Sequence, residues 1–192
     1  MKHRADIDGL RAIAVLPITF FHAGIPGFAG GFVGVDIFFV ISGFLITGIL
    51  VRDLEAGCFS YADFYERRLR RIFPALIVML AASLLAAYFL ILPSELRSFG
   101  RSVIGAIVFV ANIVFYREAG YFDDSAEEKP LLHTWSLGVE EQFYIVFPII
   151  LFTLMRYLPR HRGAATMGLT AVSLGLCVAL TPRNPDAAFY LI

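Results

Sequence analysis

The sequence predicts an all-α bundle of transmembrane helices, on three observations. Only 17% of the 192 residues are charged, against about 25% in a soluble domain, and mean hydropathy is +0.74. Six mostly apolar runs, at about 10–24, 32–51, 73–92, 98–116, 135–156 and 164–181, approach the length needed to cross a bilayer. None alternates with a period of two, so a barrel is not indicated, and lipid leaves helices as the other way to satisfy the backbone. Five or six spans are expected, with no internal repeat.

The first run follows a basic N-terminus, MKHRADIDGLR, but contains Pro17 and His22 and ends in a Gly-rich stretch, not a small-residue cleavage site. It reads as a retained span that extends toward Ala5. The loop AGIPGFAGG (23–31) is short, so the first two spans should be antiparallel neighbours. VRDLEAGCFSYADFYERRLRR (51–71) reads as a long connection ending in four arginines, which marks it, and with it the N-terminus, as cytoplasmic. ILPSEL turns the chain into the fourth run, and YREAGYFDDSAEEKPLLH (116–133) is a long acidic loop.

Simple alternation then puts MRYLPRHR (155–162) outside, against the positive-inside rule. Either one apolar run does not cross fully, or the 116–133 loop folds back into the bilayer. The final TPRNPDAAFYLI opens another apolar segment, so the chain is expected to be incomplete at its C-terminus.

Formal net charge is zero, which argues against a nucleic-acid partner. Cys58 and Cys177 stand in unrelated segments, without the spacing of a metal site or disulfide framework.

The informative residues are polar groups in apolar surroundings. Arg11 and His22 are eleven positions apart, close to three helical turns, so they share one face about 16 Å apart along the axis. An imidazole titrates near neutrality and can take a proton from a hydroxyl; the plainer readings are an interfacial histidine and a snorkelling arginine. In GGFVGVDIFFVISGFLIT (30–47), glycines 30, 31, 34 and 43 suit close helix packing. Asp36 needs a partner there, with Arg11 or His22 the nearest plausible one.

FYERRLRRIFPAL (64–76) carries Arg67, Arg68, Arg70 and Arg71, which read either as a topology anchor or as forks for phosphates arriving from the cytoplasm. Arg68 and Arg71, three apart, point to a common face. In HTWSLGVEEQFYIVFP (133–148), Ser136, Glu140 and Tyr144 follow at i, i+4, i+8 as a polar stripe. Thr134 or Ser136 could instead cap the helix, but that leaves Glu140, Glu141 and Gln142 unexplained, and an intramembrane polar site is the favoured reading. Asn112 reads as an interhelical hydrogen-bond partner. Trp135 reads as an interface anchor or the lining of a pocket.

In order and spacing these segments resemble acyltransferase family 3, bacterial membrane acyltransferases, across residues 4–150. DGLRAIAVLPITFFHA carries the Arg-x10-His motif in Arg11 and His22, and GGFVGVDIFFVISGFLIT the second-span signature. RRLRRIFPAL carries the arginine motif, and HTWSLGVEEQFY carries Trp-Ser-Leu-x-x-Glu-x-Gln-Phe/Tyr through Trp135, Ser136, Leu137, Glu140, Gln142 and Phe143. The wording EKPLLHTWSLGVEEQFY and DAAFYL is most similar to the subgroup with an additional SGNH-type domain.

The resemblance implies that residues 1–192 are the N-terminal part of a transmembrane domain of about ten spans. It implies a multi-pass enzyme of the bacterial inner membrane that moves an acyl group, usually acetyl, from cytoplasmic acyl-CoA to a cell-envelope glycan such as lipopolysaccharide O-antigen. No bound cofactor or metal is implied; acyl-CoA is a co-substrate, and the other partners are the glycan acceptor and the lipid bilayer. By analogy His22 acts in proton transfer with support from Arg11, and Glu140 orients the histidine or the substrate. Arg68 and Arg71 engage the CoA phosphates, and Asp36, Trp135, Ser136 and Tyr144 complete the binding site. Two other classes fit the buried charges: a transporter or channel subunit that relays protons, and a truncated product without activity of its own.

Overall fold

Where each helix stops decides the architecture. The computed structural model describes residues 4–119 and 129–191, and every regular element in them is helical. In chain order these are α1 (Ala5–His22), α2 (Gly34–Glu55), α3 (Tyr61–Leu90), α4 (Leu96–Ile107), α5 (Ala111–Glu118), α6 (Thr134–Tyr157), α7 (Arg162–Leu180) and α8 (Pro185–Leu191), with one tight turn, Gly31–Val33, before α2. Contacts divide the chain into two compact units, 1–59 and 60–192.

In the first unit, α1 begins at Ala5 as expected and runs through Pro17. Its partners on α2 run in reverse order: the Arg4 guanidinium lies 6.0 Å from the Phe44 ring and that of Arg11 5.7 Å from Phe38. Gly34 packs on Ala14 and Ile18, and Gly31 on Pro17 and Phe21. The two helices are therefore the antiparallel pair that the short loop predicts. A Cβ on Gly34 would lie 2.2 Å from the Ala14 carbonyl oxygen, and one on Gly31 2.1 Å from that of Pro17. At those two positions close approach requires glycine. Gly30 and Gly43 meet nothing within 4 Å, so the packing reading does not extend to them.

The connection expected over 51–71 is largely helical. α2 continues to Glu55, where Gly57 at φ 65° lets the Gly57 N–H reach Leu54 O and the Cys58 N–H reach Asp53 O. That pair of bonds is a Schellman ending. α3 starts at Tyr61 with the Ser60 hydroxyl accepting from the Asp63 N–H at 3.3 Å. Only 56–60 lie between the helices, and all four arginines stand on the early turns of α3.

The run at 98–116 is not one continuous helix. It breaks into α4 and α5 at Phe109, a non-glycine residue at φ 57°. The bonds Phe109 N–H to Ala106 O and Val110 N–H to Gly105 O form the same helix ending as at Gly57. At 12 residues, α4 is about 18 Å long, short of the roughly 30 Å hydrocarbon core. Among the described residues, four helices are long and apolar enough to cross a membrane: α2 with its preceding turn, α3, α6 and α7. α1 carries Asp6, Asp8 and Arg11 in its first half, which shortens its apolar portion.

The core of the second unit joins Leu76, Leu80 and Ala87 of α3 to Phe99, Val103 and Ala106 of α4, Ala111 and Phe115 of α5, and Leu131. α8 is capped by Asn184, whose Oδ1 accepts from the Ala187 N–H at 3.0 Å, with Pro185 in the first helical position. Of the acidic loop expected at 116–133, residues 120–128 lie outside the described residues.

Candidate functional site

The first unit supplies a histidine with a defined tautomer. His22 closes α1, and its Nδ1 lies 2.8 Å from the Ile18 carbonyl oxygen. A carbonyl only accepts, so Nδ1–H donates, and in the neutral ring this leaves the lone pair on Nε2. The ring is exposed and stands edge-on to Phe21 at 5.2 Å. Arg11, half-buried on the same helix, faces the Phe38 ring. Asp36 corrects the expectation of a partner: among the described residues no ion pair joins it to Arg11 or His22. It is exposed in the first turn of α2, where the helix dipole itself favours a carboxylate.

In the second unit α6 buries a carboxylate on its inward face. Thr134, Gly138, Glu141, Tyr144, Pro148 and Leu151 are the buried positions of that helix, spaced by threes and fours as a single buried stripe requires. Glu141 is fully buried, and Arg68 Nη2 donates to its Oε1 at 2.6 Å. The Arg68 guanidinium lies 3.5 Å from the centroid of the Tyr144 ring, a close cation–π contact. The Tyr144 hydroxyl in turn donates to Glu140 Oε1 at 2.5 Å. Two tyrosines of α3 brace the same stretch: Tyr65 donates to Glu141 O at 3.3 Å and Tyr61 to Ile145 O at 2.7 Å.

Glu141, Arg68, Tyr144 and Glu140 thus form one continuous polar chain between α3 and α6. Arg68 Nε and Glu141 Oε2 are buried and make no hydrogen bond, so the pair is held by one strong contact and not by the two-pronged fork open to an arginine. The other arginines of the cluster differ. Arg70 pairs with Glu66 at 2.6 Å, and Arg67 and Arg71 are exposed.

Asn112 is 1% exposed and is the interhelical partner expected of it. Gln142 Nε2 donates to Asn112 Oδ1 at 2.8 Å and to Phe109 O at 2.9 Å, while Asn112 Nδ2 donates to Tyr190 O at 3.0 Å. These bonds tie α5, α6 and α8 together beneath Gly138, where an added Cβ would meet Asn112 Oδ1 at 2.8 Å. Trp135 packs on Phe189 with ring centroids 4.5 Å apart.

Neither Thr134 nor Ser136 caps α6. Their hydroxyls donate backward, to Leu131 O at 2.7 Å and His133 O at 3.0 Å. Ser136 is therefore bonded locally, and of the expected stripe only Glu140 and Tyr144 are joined.

Arg11, His22 and Asp36 belong to the first unit, and Arg68, Arg71, Trp135, Ser136, Glu140 and Tyr144 to the second. Glu141 and Tyr65 were not singled out as site residues from sequence; the buried spacing of α6 is the signal for Glu141, and Tyr65 carried none.

Long apolar helices with paired charges and amides between them define a polytopic α-helical membrane protein with an internal polar centre. The chain matches the family described as the acyltransferase domain over residues 4–192, and it belongs to that family, acyltransferase family 3. It is similar to a Staphylococcus aureus (strain MSSA476) protein provisionally named an O-acetyltransferase, 39% identical over 97% of this chain and 31% of the relative. It is also similar to the O-acetyltransferase OatA of Staphylococcus aureus (strain NCTC 8325 / PS 47), 37% identical over 93% of this chain and 30% of the relative. The chain therefore spans under a third of the length of these relatives. No solved structure matches.

Proposed function

We propose that this chain is part of an inner-membrane O-acyltransferase that moves an acyl group, acetyl above all, from cytoplasmic acyl-CoA to a hydroxyl of a cell-envelope glycan such as lipopolysaccharide O-antigen. The observation that carries the reading is the state of His22. With Nδ1–H committed to Ile18 O, Nε2 is the basic nitrogen a hydroxyl needs. In the step proposed, Nε2 takes the acceptor's hydroxyl proton as the oxygen attacks the thioester carbonyl. The carbon–sulfur bond then breaks, the CoA thiolate leaves, and the proton passes from the imidazolium to it. Arg11, a cation on the same helix, supports the site electrostatically. The names of the relatives agree with acetyl as the group and oxygen as its destination.

The proposed orientation is N-terminus inside. The arginines of α3 favour the cytoplasmic side, and the hydrogen bonds 61 to 145 and 65 to 141 run in opposite order along α3 and α6. With α4 and α5 too short to cross, α3 leads outward and α6 returns inward. Arg156, Arg160 and Arg162 then end inside, and the conflict with the positive-inside rule disappears.

The test is His22→Ala in the protein as the cell makes it. The variant is expected to insert in the membrane at normal levels and to lose O-acetylation of the envelope glycan. Activity retained at the unaltered level removes His22 from the chemistry.

A further inference from the structure

We propose that the open end of the α4–α5 hairpin binds an acidic sugar of the glycan acceptor, with Glu118 accepting from its hydroxyls and Arg101 and Arg117 holding its anionic group. This rests on the acceptor and the orientation proposed above and names residues that hold the acceptor.

The partners of the two short helices run in reverse order. Arg101 of α4 faces Glu118 of α5, and one turn further along α4, Gly105 lies against Ala111 and Val114. The closed end is therefore the turn at Phe109, and the open end carries the charges. Between them lies a pocket of about 390 Å³ whose walls include Arg101, Ile104, Val110, Val114, Arg117 and Glu118, a volume suited to a small molecule. In the proposed orientation α3 leads outward, so α4 starts on the outer side and the open end faces it.

Glu118 is the group that the fold leaves unsatisfied. Its side chain is 15% exposed, and both carboxylate oxygens are buried without a hydrogen bond. Arg101 Nη1 stands 3.7 Å from Oε1, beyond hydrogen-bond range. A carboxylate only accepts, and burying it without donors is costly, so a ligand that brings donors is favoured here. Arg101 and Arg117 are exposed, and among the described residues Arg117 makes no hydrogen bond or ion pair. Neighbouring hydroxyls of a sugar ring match the two oxygens, and a sugar carboxylate supplies an anion for the guanidinium forks. The apolar wall is Ile104, Val110 and Val114, which suits the C–H face of a ring and is too short for a lipid chain.

The measurement is saturation-transfer NMR of methyl glucuronide and methyl glucoside on the full-length protein in neutral detergent, with melting followed in parallel. The glucuronide is expected to bind more tightly than the glucoside. Arg117→Gln is expected to weaken the glucuronide about tenfold and to leave the glucoside unchanged. Glu118→Gln is expected to weaken both sugars without lowering melting, since it removes a buried charge that lacks donors. Both variants are expected to lose O-acetylation of the envelope glycan.

If Glu118→Gln melts lower and binds both sugars normally, the Arg101–Glu118 contact is a clasp of the hairpin and the inference is overturned. Binding of neither sugar by the unaltered protein overturns it as well. If the glucuronide binds in phosphatidylcholine vesicles and is displaced when phosphatidylglycerol is added, the pocket belongs to a lipid and the inference fails. Variants that lose the sugars but keep O-acetylation show that the pocket is not the acceptor's, while the acyl-transfer reading stands. Failure of that reading is seen separately, as O-acetylation retained by His22→Ala.

Discussion

At the residue scale, Glu141 is the side chain on which the second unit most depends. Removing one partner of a buried pair strands the other charge, at a cost of about 3–5 kcal/mol. Glu141→Gln should therefore lower stability by that amount in denaturant unfolding of the detergent-solubilised chain. Glu140→Gln, which keeps an oxygen to accept from the Tyr144 hydroxyl, should cost less, about 1 kcal/mol. Equal unfolding of the two variants would mean that the Arg68–Glu141 contact carries no weight. The sequence brought this segment into view through Glu140, and the buried ion pair falls on its neighbour Glu141. A stripe stepping by four drifts about 40° per step on a helix of 3.6 residues per turn, so Ser136 and Tyr144 cannot both face one partner. The buried set of α6 mixes steps of three and four, and that rhythm selects Glu141. His22 and Arg11 are legible as candidates because a base and a cation stand out in an apolar run whatever packs around them.

At the scale of elements, legibility followed the stop signals. Gly57 ends α2 and Ser60 starts α3, both in the residue types such positions favour, yet the arginines between 67 and 71 drew the reading toward a loop. α4 ends without any such residue: Phe109 takes the left-handed conformation that glycine usually fills. It is held there by a ring contact of 5.7 Å with Phe73 and by the Gln142 amide on its carbonyl. Those partners come from 36 and 33 positions away in the chain, so no local pattern could announce the break. The glycines of α2 divide in the same way, since only the partner helix shows which are needed. Gly34→Ala, pressed against a backbone carbonyl, should cost about 1–3 kcal/mol. Gly43→Ala, in open space, should be neutral or raise stability by up to about 1 kcal/mol. Melting temperatures of the two variants check this, and a stable Gly34→Ala would show that α1 and α2 are looser than the contacts imply.

At the scale of the whole molecule, the break in the fourth run bears on a count that composition left open. Hydropathy measures how apolar a run is and does not register a turn inside it, so 98–116 looked like a span. In the proposed orientation, with the N-terminus inside and α4 and α5 not crossing, Cys58 and the segment joining α6 to α7 are both expected on the cytoplasmic side. A cysteine placed at Arg160, with Cys177 replaced by serine, should react with an impermeant thiol reagent in inverted vesicles, as Cys58 does, and in right-side-out vesicles neither should. Labelling of the two from opposite sides would mean that α4 and α5 together cross.

The contact between Arg68 and Glu141 has an electrical consequence. One positive and one negative charge 2.6 Å apart carry no net charge, so the voltage across an energised membrane exerts almost no net force on them. A balanced pair of this kind can sit in a membrane field without being pushed by it. Glu141→Gln would remove that balance and expose a full positive charge to about 2.3 kcal/mol per 100 mV over the whole field. A scaffold indifferent to voltage would then gain a charge that responds to it.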